Sequence, residues 1–327
     1  MKILIRLPNW LGDVVMSTAF IRSVNELYPS AQVDIIIKTE LKAIASLISG
    51  INNIHLFSKH EYPGLGGVYS FGKTLRAEKY DLFFNLPASI SSATMAWATR
   101  AKKRVGFSKE GGFFLLTKVC KRPKNVHRVD EYIAILEQFV GKKITGIEVK
   151  LTTAEPIQPN NLVLVNFNSE AESRRMPPAK GIGMINILTA ALPETTFAFI
   201  GSPKDVEFVD QFIVNANSPA QIKNYTGKTD IPALANLMAS AKALLTTDSG
   251  PAHMANSLGI PVIVLFGAGD EKNTAPYNKT GLTILRAGRL ECEPCLHNTC
   301  RLYGMPKCMK LLEEDKIIDV LKSYLSN

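Results

Sequence analysis

The chain has 327 residues, 46% of them hydrophobic and 20% charged, which is the composition of a globular protein with room for two domains. No apolar run reaches transmembrane length and no signal-peptide pattern precedes the first predicted strand, so we expect a cytoplasmic protein. The formal net charge of +9 is a weak indication of anionic partners.

The first half of the chain alternates short apolar runs with segments of helical spacing. Strands are predicted near residues 2–7, 33–38, 54–57 and 81–86, and helices near 14–28, 41–47, 72–79, 89–100 and 129–140. This alternation favours a parallel, doubly wound sheet.

A turn-rich loop, residues 8–13, follows the first predicted strand, and the carboxyl ends of strands are where open α/β sheets bind ligands. Asp13 stands at the mouth of the next helix. As an N-cap it would need no further function, whereas at a ligand crevice its carboxylate can take a proton from a sugar hydroxyl as a general base. Trp10 can stack on a sugar or pack the loop down, and Gly12, between Trp10 and Asp13, is a further candidate for binding the acceptor.

Positive charge gathers in residues 102–104 and 118–128. A solvated face and a functional patch both account for it, and a functional patch would suit a phosphorylated lipid head group or peripheral contact with the anionic inner membrane. His127 in this stretch can cap a helix or face an acceptor. The alternative of a different class is a nucleic-acid-binding protein built on this charge and on the C-terminal cysteine cluster. It is disfavoured because aromatic side chains are not interleaved with the cations near 102–104 and 118–128, as they are in nucleic-acid platforms.

Residues 152–161 include Pro156, Pro159 and two asparagines, and we interpret them as an inter-domain linker. The alternation then restarts, with strands near 162–166, 196–200, 243–247 and 262–266 and helices near 183–192, 206–214, 231–240, 252–258 and 312–325. We therefore predict two Rossmann-like domains, 1–155 and 160–311, followed by a C-terminal helix, 312–327.

The segment Thr246–His253 predicts a strand, a tight turn and a helix. Gly250 allows a ligand to approach the backbone, and Pro251 suits the first turn of a helix. The free N–H groups and the dipole of that turn form an anion site, within reach of Asp248, Ser249 and His253. A capped helix start in an ordinary α/β protein is the alternative.

Two further groups can face a nucleotide in the second half. Arg174 and Arg175 follow a strand and a polar loop and are candidate cations for a diphosphate, or simply exposed arginines. Gly201 follows another strand, and Thr226 and Gly227 follow a short one. These turns suit the nucleotide-binding edge of a sheet or ordinary turn chemistry.

Four cysteines crowd into the C-terminal part: Cys292, Cys295, Cys300 and Cys308. Disulfides are not expected in a cytoplasmic protein, so the spacing indicates either a structural zinc or iron–sulfur site, or four reduced thiols. The cluster is far in sequence from the other motifs, and we expect it to take no part in chemistry.

In its motifs the chain resembles a known family. They run in this order: MKILI (1–5) with WLGD (10–13), KYDL (79–82) with LP (86–87), RVG (104–106), RRMP (174–177), FIGSPKD (199–205), TG (226–227) and TDSGPAH (247–253). Together they resemble the bacterial ADP-heptose:lipopolysaccharide heptosyltransferases of glycosyltransferase family 9, most closely the heptosyltransferase II type.

The resemblance implies the GT-B fold, two Rossmann-like domains facing a cleft, and an inverting transfer of heptose from ADP-L-glycero-D-manno-heptose to the lipopolysaccharide inner core. It implies Asp13 as the base, and Arg174 in place of the family's phosphate-binding lysine, with Met176 where the family has tryptophan. No D-x-D sequence is present to hold a divalent metal, so no cofactor is expected for catalysis. Another GT-B transferase or a nucleotide-sugar epimerase remains the alternative.

Overall fold

The computed structural model describes residues 1–109, 111–153 and 160–326. Two compact units are separated between Thr152 and Thr153. The central part of the predicted linker, 154–159 of 152–161, lies outside the described residues.

Six parallel strands form the sheet of the first unit: β1 (Lys2–Arg6), β2 (Gln32–Lys38), β3 (Ile54–Phe57), β4 (Leu82–Asn85), β5 (Lys103–Gly106) and β6 (Lys118–Val119). They lie in the order β3-β2-β1-β4-β5-β6. The α-helices are α1 (Leu11–Met16), α2 (Thr18–Leu27), α3 (Gly64–Thr74), α4 (Ile90–Ala98) and α5 (Arg128–Val140), and 3₁₀ turns span Thr39–Leu47, Leu75–Glu78 and Gly112–Leu115. The central strands β1, β2 and β4 are buried on both faces, as expected of a parallel sheet covered by helices.

The second unit repeats this design with β7 (Asn160–Asn166), β8 (Thr196–Phe199), β9 (Ile222–Asn224), β10 (Ala241–Thr247), β11 (Val262–Phe266) and β12 (Leu282–Arg286). Their order is β12-β11-β10-β7-β8-β9. The helices are α6 (Pro178–Ala191), α7 (Val206–Val214), α8 (Ile231–Ala239), α9 (Gly250–Ser257), α10 (Glu271–Thr274), α11 (Lys307–Lys310) and α12 (Glu314–Leu325), with 3₁₀ turns at Glu172–Arg174, Pro203–Asp205 and Pro219–Gln221.

Counted from the first strand of each unit, both sheets have the order 3-2-1-4-5-6, and the predicted α/β fold class with two Rossmann-like sheets is confirmed. A sheet of this kind opens a ligand crevice where the order reverses, beyond the carboxyl ends of its first and fourth strands. Those strands are β1 and β4 in one unit and β7 and β10 in the other. No helix among the described residues is long and apolar enough to span a membrane.

Some elements differ from the sequence prediction. The helix predicted at 14–28 is two helices that break at Ser17, whose hydroxyl donates to the carbonyl of Val14 at 2.7 Å. The helix predicted at 72–79 begins already at Gly64, and the strands β5, β6 and β12 were not predicted. The last helix buries Ile317, Ile318 and Leu321 in the core of the second unit.

Candidate active site

Asp13 lies in the first turn of α1, just beyond the carboxyl end of β1. Trp10 is the N-cap of that helix, so Asp13 is not the cap that the sequence allowed. Its Oδ1 accepts a hydrogen bond from the Tyr132 hydroxyl at 3.1 Å and lies 3.6 Å from Nε of Arg128. Both partners come from α5, so the carboxylate is held by a second element.

Burial raises the pKa of Asp13, and the charge of Glu131 adds to this rise. The nearby Arg128 cation and the hydrogen bond from Tyr132 oppose it. Glu131 in turn forms two ion pairs: its Oε2 lies 3.0 Å from Nη1 of Arg128, and its Oε1 lies 2.7 Å from Nε of Arg122. A carboxylate with a raised pKa is a stronger base than an exposed one, and this one keeps 26% of its side chain exposed. The arrangement therefore suits proton abstraction.

The other residues predicted for this site lie around the same two helices. Trp10 is 67% exposed, and Gly12 is in α1. His127 is the N-cap of α5, and its Nδ1 accepts a hydrogen bond from the backbone N–H of Val129 at 3.2 Å. The capping role of His127 is thus observed, while acceptor binding by Trp10, Gly12 and His127 stays a prediction.

A second polar centre lies at the ends of β7 and β10. Asn166 Nδ2 donates to Ser249 Oγ at 2.8 Å, and Thr247 Oγ1 donates to the carbonyl of Asn168 at 2.6 Å. Ser249 is the N-cap of α9 but makes no capping hydrogen bond with its side chain, and the helix continues through Gly250 and Pro251. Its amino end is therefore available to an anion.

Arg174 joins this centre directly. Its Nη1 lies 3.1 Å from Oδ2 of Asp248, whose side chain is 5% exposed. Burial raises the pKa of Asp248, and the charges of Arg174 and Arg286 oppose the rise. Arg175 points elsewhere: its Nε donates to the carbonyl of Ser169 at 2.6 Å, and its guanidinium lies 5.5 Å from the ring centre of Phe208. Of the two arginines, Arg174 is therefore the one that contacts Asp248, next to the N-cap of α9, and Arg175 stabilises the loop.

The turns at Gly201 and Thr226 lie together at the same sheet edge. The backbone N–H of Gly227 donates to the carbonyl of Gly201 at 2.9 Å, and Gly227 has φ +71. A side chain at position 201 would stand 2.4 Å from Asn168 Nδ2 and 3.0 Å from Thr226 Cγ2. Oγ1 of Thr226 and Oδ1 of Asn168 are buried without a hydrogen-bond partner in the described part of the chain. A polar ligand could satisfy both atoms.

The sequence did not reveal every residue of this centre. A Cβ at Gly269 would lie 2.2 Å from Asp248 Oδ2, so any other residue there would displace the Asp248 carboxyl group. Arg286 donates to the carbonyls of Gly267 and Gly269 and thereby stabilises that loop. The Gly-Ala-Gly run after an apolar strand was the available signal. His253, predicted to reach a ligand, is 6% exposed in α9, and its ligand contact stays a prediction.

The four C-terminal cysteines line one pocket as free thiols. Burial, together with the nearby Glu293 charge, raises the pKa of Cys308 to about 11. Among the residues that the structure describes, no three His, Cys, Asp or Glu side chains are arranged to hold a metal ion. The structural metal site therefore stays a prediction.

The cysteine segment lies next to the Arg174 turn in space. Ser173 lines the same pocket, its backbone N–H donates to the carbonyl of Asn298 at 3.0 Å, and its hydroxyl donates to the carbonyl of His297. The cysteine segment is therefore far from Arg174 in sequence but close to its turn in the fold.

Known proteins are similar to this chain over most of its length. The chain is 24% identical to lipooligosaccharide heptosyltransferase 2 of Campylobacter jejuni, over 100% of this chain and 99% of that protein. It is 26% identical to lipopolysaccharide heptosyltransferase 2 of Escherichia coli K12, over 87% and 88%. The solved structure of E. coli ADP-heptose lps heptosyltransferase II has the same fold, with a TM-score of 0.83 at 21% identity over 100% and 99% of the two chains. Residues 68–305 match the model of glycosyltransferase family 9 (heptosyltransferase), and the chain belongs to that family.

Proposed function

We propose that this glycosyltransferase moves a heptose from ADP-L-glycero-D-manno-heptose to the inner core of lipopolysaccharide, with inversion at the anomeric carbon. The observation that carries the proposal is the half-buried Asp13 carboxylate held by Tyr132 and Arg128. The curated relatives are named for heptose transfer. An epimerase, the alternative of similar build, would need no lipid acceptor.

In the proposed reaction the Asp13 carboxylate takes the proton of an acceptor hydroxyl while the oxygen of that hydroxyl attacks the anomeric carbon. The new glycosidic bond forms while the bond from that carbon to the diphosphate oxygen breaks, and ADP leaves with the electron pair. Arg174 and the amino end of α9 stabilise the charge that develops on the diphosphate. These groups need no metal, and we propose that transfer uses none.

The donor occupies the second unit in this proposal, between Arg174, the turns at Gly201 and Thr226, and the start of α9. Ser249, Gly250 and Gly227 contribute backbone or hydroxyl groups there. The orphaned Oγ1 of Thr226 and Oδ1 of Asn168 supply polar contacts. Arg175 supports this site through Ser169.

A transfer assay tests the proposal, with purified ADP-heptose and core acceptors truncated at defined sugars. Mass spectrometry of the acceptor should show a gain of one heptose, and UDP-glucose should give no product. Asp13→Asn should lose turnover at least about a hundredfold, the usual scale for a general base, and still bind ADP. Asp319→Asn, at an exposed position of α12, is the matched control. Near-normal turnover in Asp13→Asn would remove Asp13 as the base.

A further inference from the structure

An aromatic pair stands out of the first unit between β5 and β6. The 3₁₀ turn Gly112–Leu115 and Leu116 contain four consecutive apolar residues, Phe113 to Leu116. Leu116 is 8% exposed in the core, and Leu115 packs against the same core cluster. Phe113 is 49% exposed and Phe114 80%, with ring centres 3.8 Å apart. We call Phe113 and Phe114 the aromatic tip.

The local backbone fixes the tip in this position. Gly111 has φ +80, a backbone conformation in which a residue with a side chain would be strained. A Cβ on Gly112 would lie 3.2 Å from Ala93 Cβ of α4. On either side, the N–H of Lys109 donates to the carbonyl of Ala88 at 3.1 Å and that of Thr117 to the carbonyl of Arg104 at 2.9 Å. The exposed rings therefore belong to an anchored loop, and leaving them in water costs free energy that burial elsewhere would recover.

The surrounding chain is strongly basic. Residues 102–124 contain eight Lys and Arg and one Glu, a net charge of +7 out of +9 for the whole chain. Lys102 pairs with Asp81 and Arg122 with Glu131. Lys109, Lys121 and Lys124 are exposed and have no acidic partner among the described residues. Exposed aromatic rings flanked by free ammonium groups combine apolar and anionic affinity.

We propose that the aromatic tip and its flanking lysines form a docking surface for a bilayer that carries anionic phospholipids. Phenylalanine rings enter the boundary between head groups and acyl chains, and each lysine near the surface adds attraction to anionic lipid. The proposal rests on the proposed function to the extent that a lipopolysaccharide acceptor is presented at a membrane. It differs from that function in naming a surface outside the site of Asp13.

Vesicle sedimentation of the full chain tests the surface. Wild-type protein should bind vesicles of phosphatidylcholine with about 30% phosphatidylglycerol, and bind pure phosphatidylcholine at least about tenfold less. Phe113→Ser/Phe114→Ser should lower the partition coefficient at least about tenfold, and Lys121→Gln/Lys124→Gln about fivefold for each lysine removed. Val214→Ser is the matched control, because Val214 is 81% exposed in the second unit.

Transfer to two acceptors separates this proposal from the proposed function. The double phenylalanine variant should transfer heptose to a water-soluble truncated acceptor within about twofold of wild type and lose transfer to acceptor embedded in vesicles. Unchanged vesicle binding in that variant, or equal wild-type binding to both vesicle types, overturns the docking surface. The docking surface is also overturned if the wild-type protein sediments as a dimer and the double phenylalanine variant sediments as a monomer. Vesicle binding without any heptose transfer would instead overturn the proposed function alone.

Discussion

At the scale of residues, Asp13 and Asp248 receive different roles from their neighbours. Burial raises the pKa of both carboxyl groups. Asp248 is 4% exposed and lies against Arg174, so this carboxyl group and the guanidinium of Arg174 hold each other in place. Asp13 keeps a quarter of its side chain exposed and meets its cation only at 3.6 Å, so its oxygen remains accessible to an incoming hydroxyl.

Arg128 should set the acid limb of the pH profile. Its charge lowers the pKa of Asp13 against the effect of burial, so Arg128→Met should raise that pKa further. Because the base acts only when deprotonated, activity is lost as the pH falls. In Arg128→Met this loss should begin at a higher pH than in wild type. The measurement is kcat/KM for transfer against pH, with Arg128→Lys as the variant that keeps the charge. An unchanged or lower acid limb in Arg128→Met would contradict this account.

Arg174 should act on the diphosphate more than on the nucleoside. Arg174→Ala removes a charge-assisted contact, and we expect ADP affinity to fall about tenfold or more while adenosine affinity changes little. Calorimetry with the two ligands measures both, and Arg174→Lys should recover part of the loss because it keeps the charge without the fork. An equal loss for ADP and adenosine would place Arg174 away from the phosphates.

At the scale of elements, α6 contains a matched pair of glycines. A Cβ at Gly181 would lie 2.4 Å from the Phe212 ring, whereas nothing lies within 4 Å of one at Gly183. Gly181→Ala should therefore lower the free energy of unfolding by about 1–3 kcal/mol through overpacking. Gly183→Ala should raise it by about 0.5–1 kcal/mol through helix propensity. Urea unfolding of both variants checks the pair, and effects of the same sign would show that the contact with Phe212 does not decide the outcome.

The elements also show what the sequence can predict. Buried central strands such as β1 and β11 read as plain apolar runs. The edge strand β6 and its neighbour β5 both begin with an exposed lysine and are short, so their pattern resembles a loop. The proposed base was predictable because it follows the first strand. Its partner Tyr132 was not, since the two residues are 119 positions apart and only the packing of α5 brings them together.

At the scale of the whole molecule, each unit completes its own sheet and core. No strand of the described residues crosses between the two sheets, and α12 returns to the core of the second unit. We expect the fragment Thr153–Asn327 to fold alone and to bind ADP within about threefold of the full chain, because the proposed donor residues all belong to it. Circular dichroism and calorimetry check this, with the Arg174→Ala fragment as the control in which ADP binding should be weakened. An unfolded fragment would show that the second unit depends on the first.

Because each unit has its own complete sheet, the two halves of such an enzyme can evolve separately. The loops beyond β7 to β10 and the helices α1 and α5 belong to separate folding units, so a mutation that alters one set need not destabilise the other. With donor and acceptor assigned to separate units as proposed, a lineage could acquire a new acceptor while it retains an ancestral donor, and recombination near residue 153 would exchange one specificity between relatives without cutting a strand.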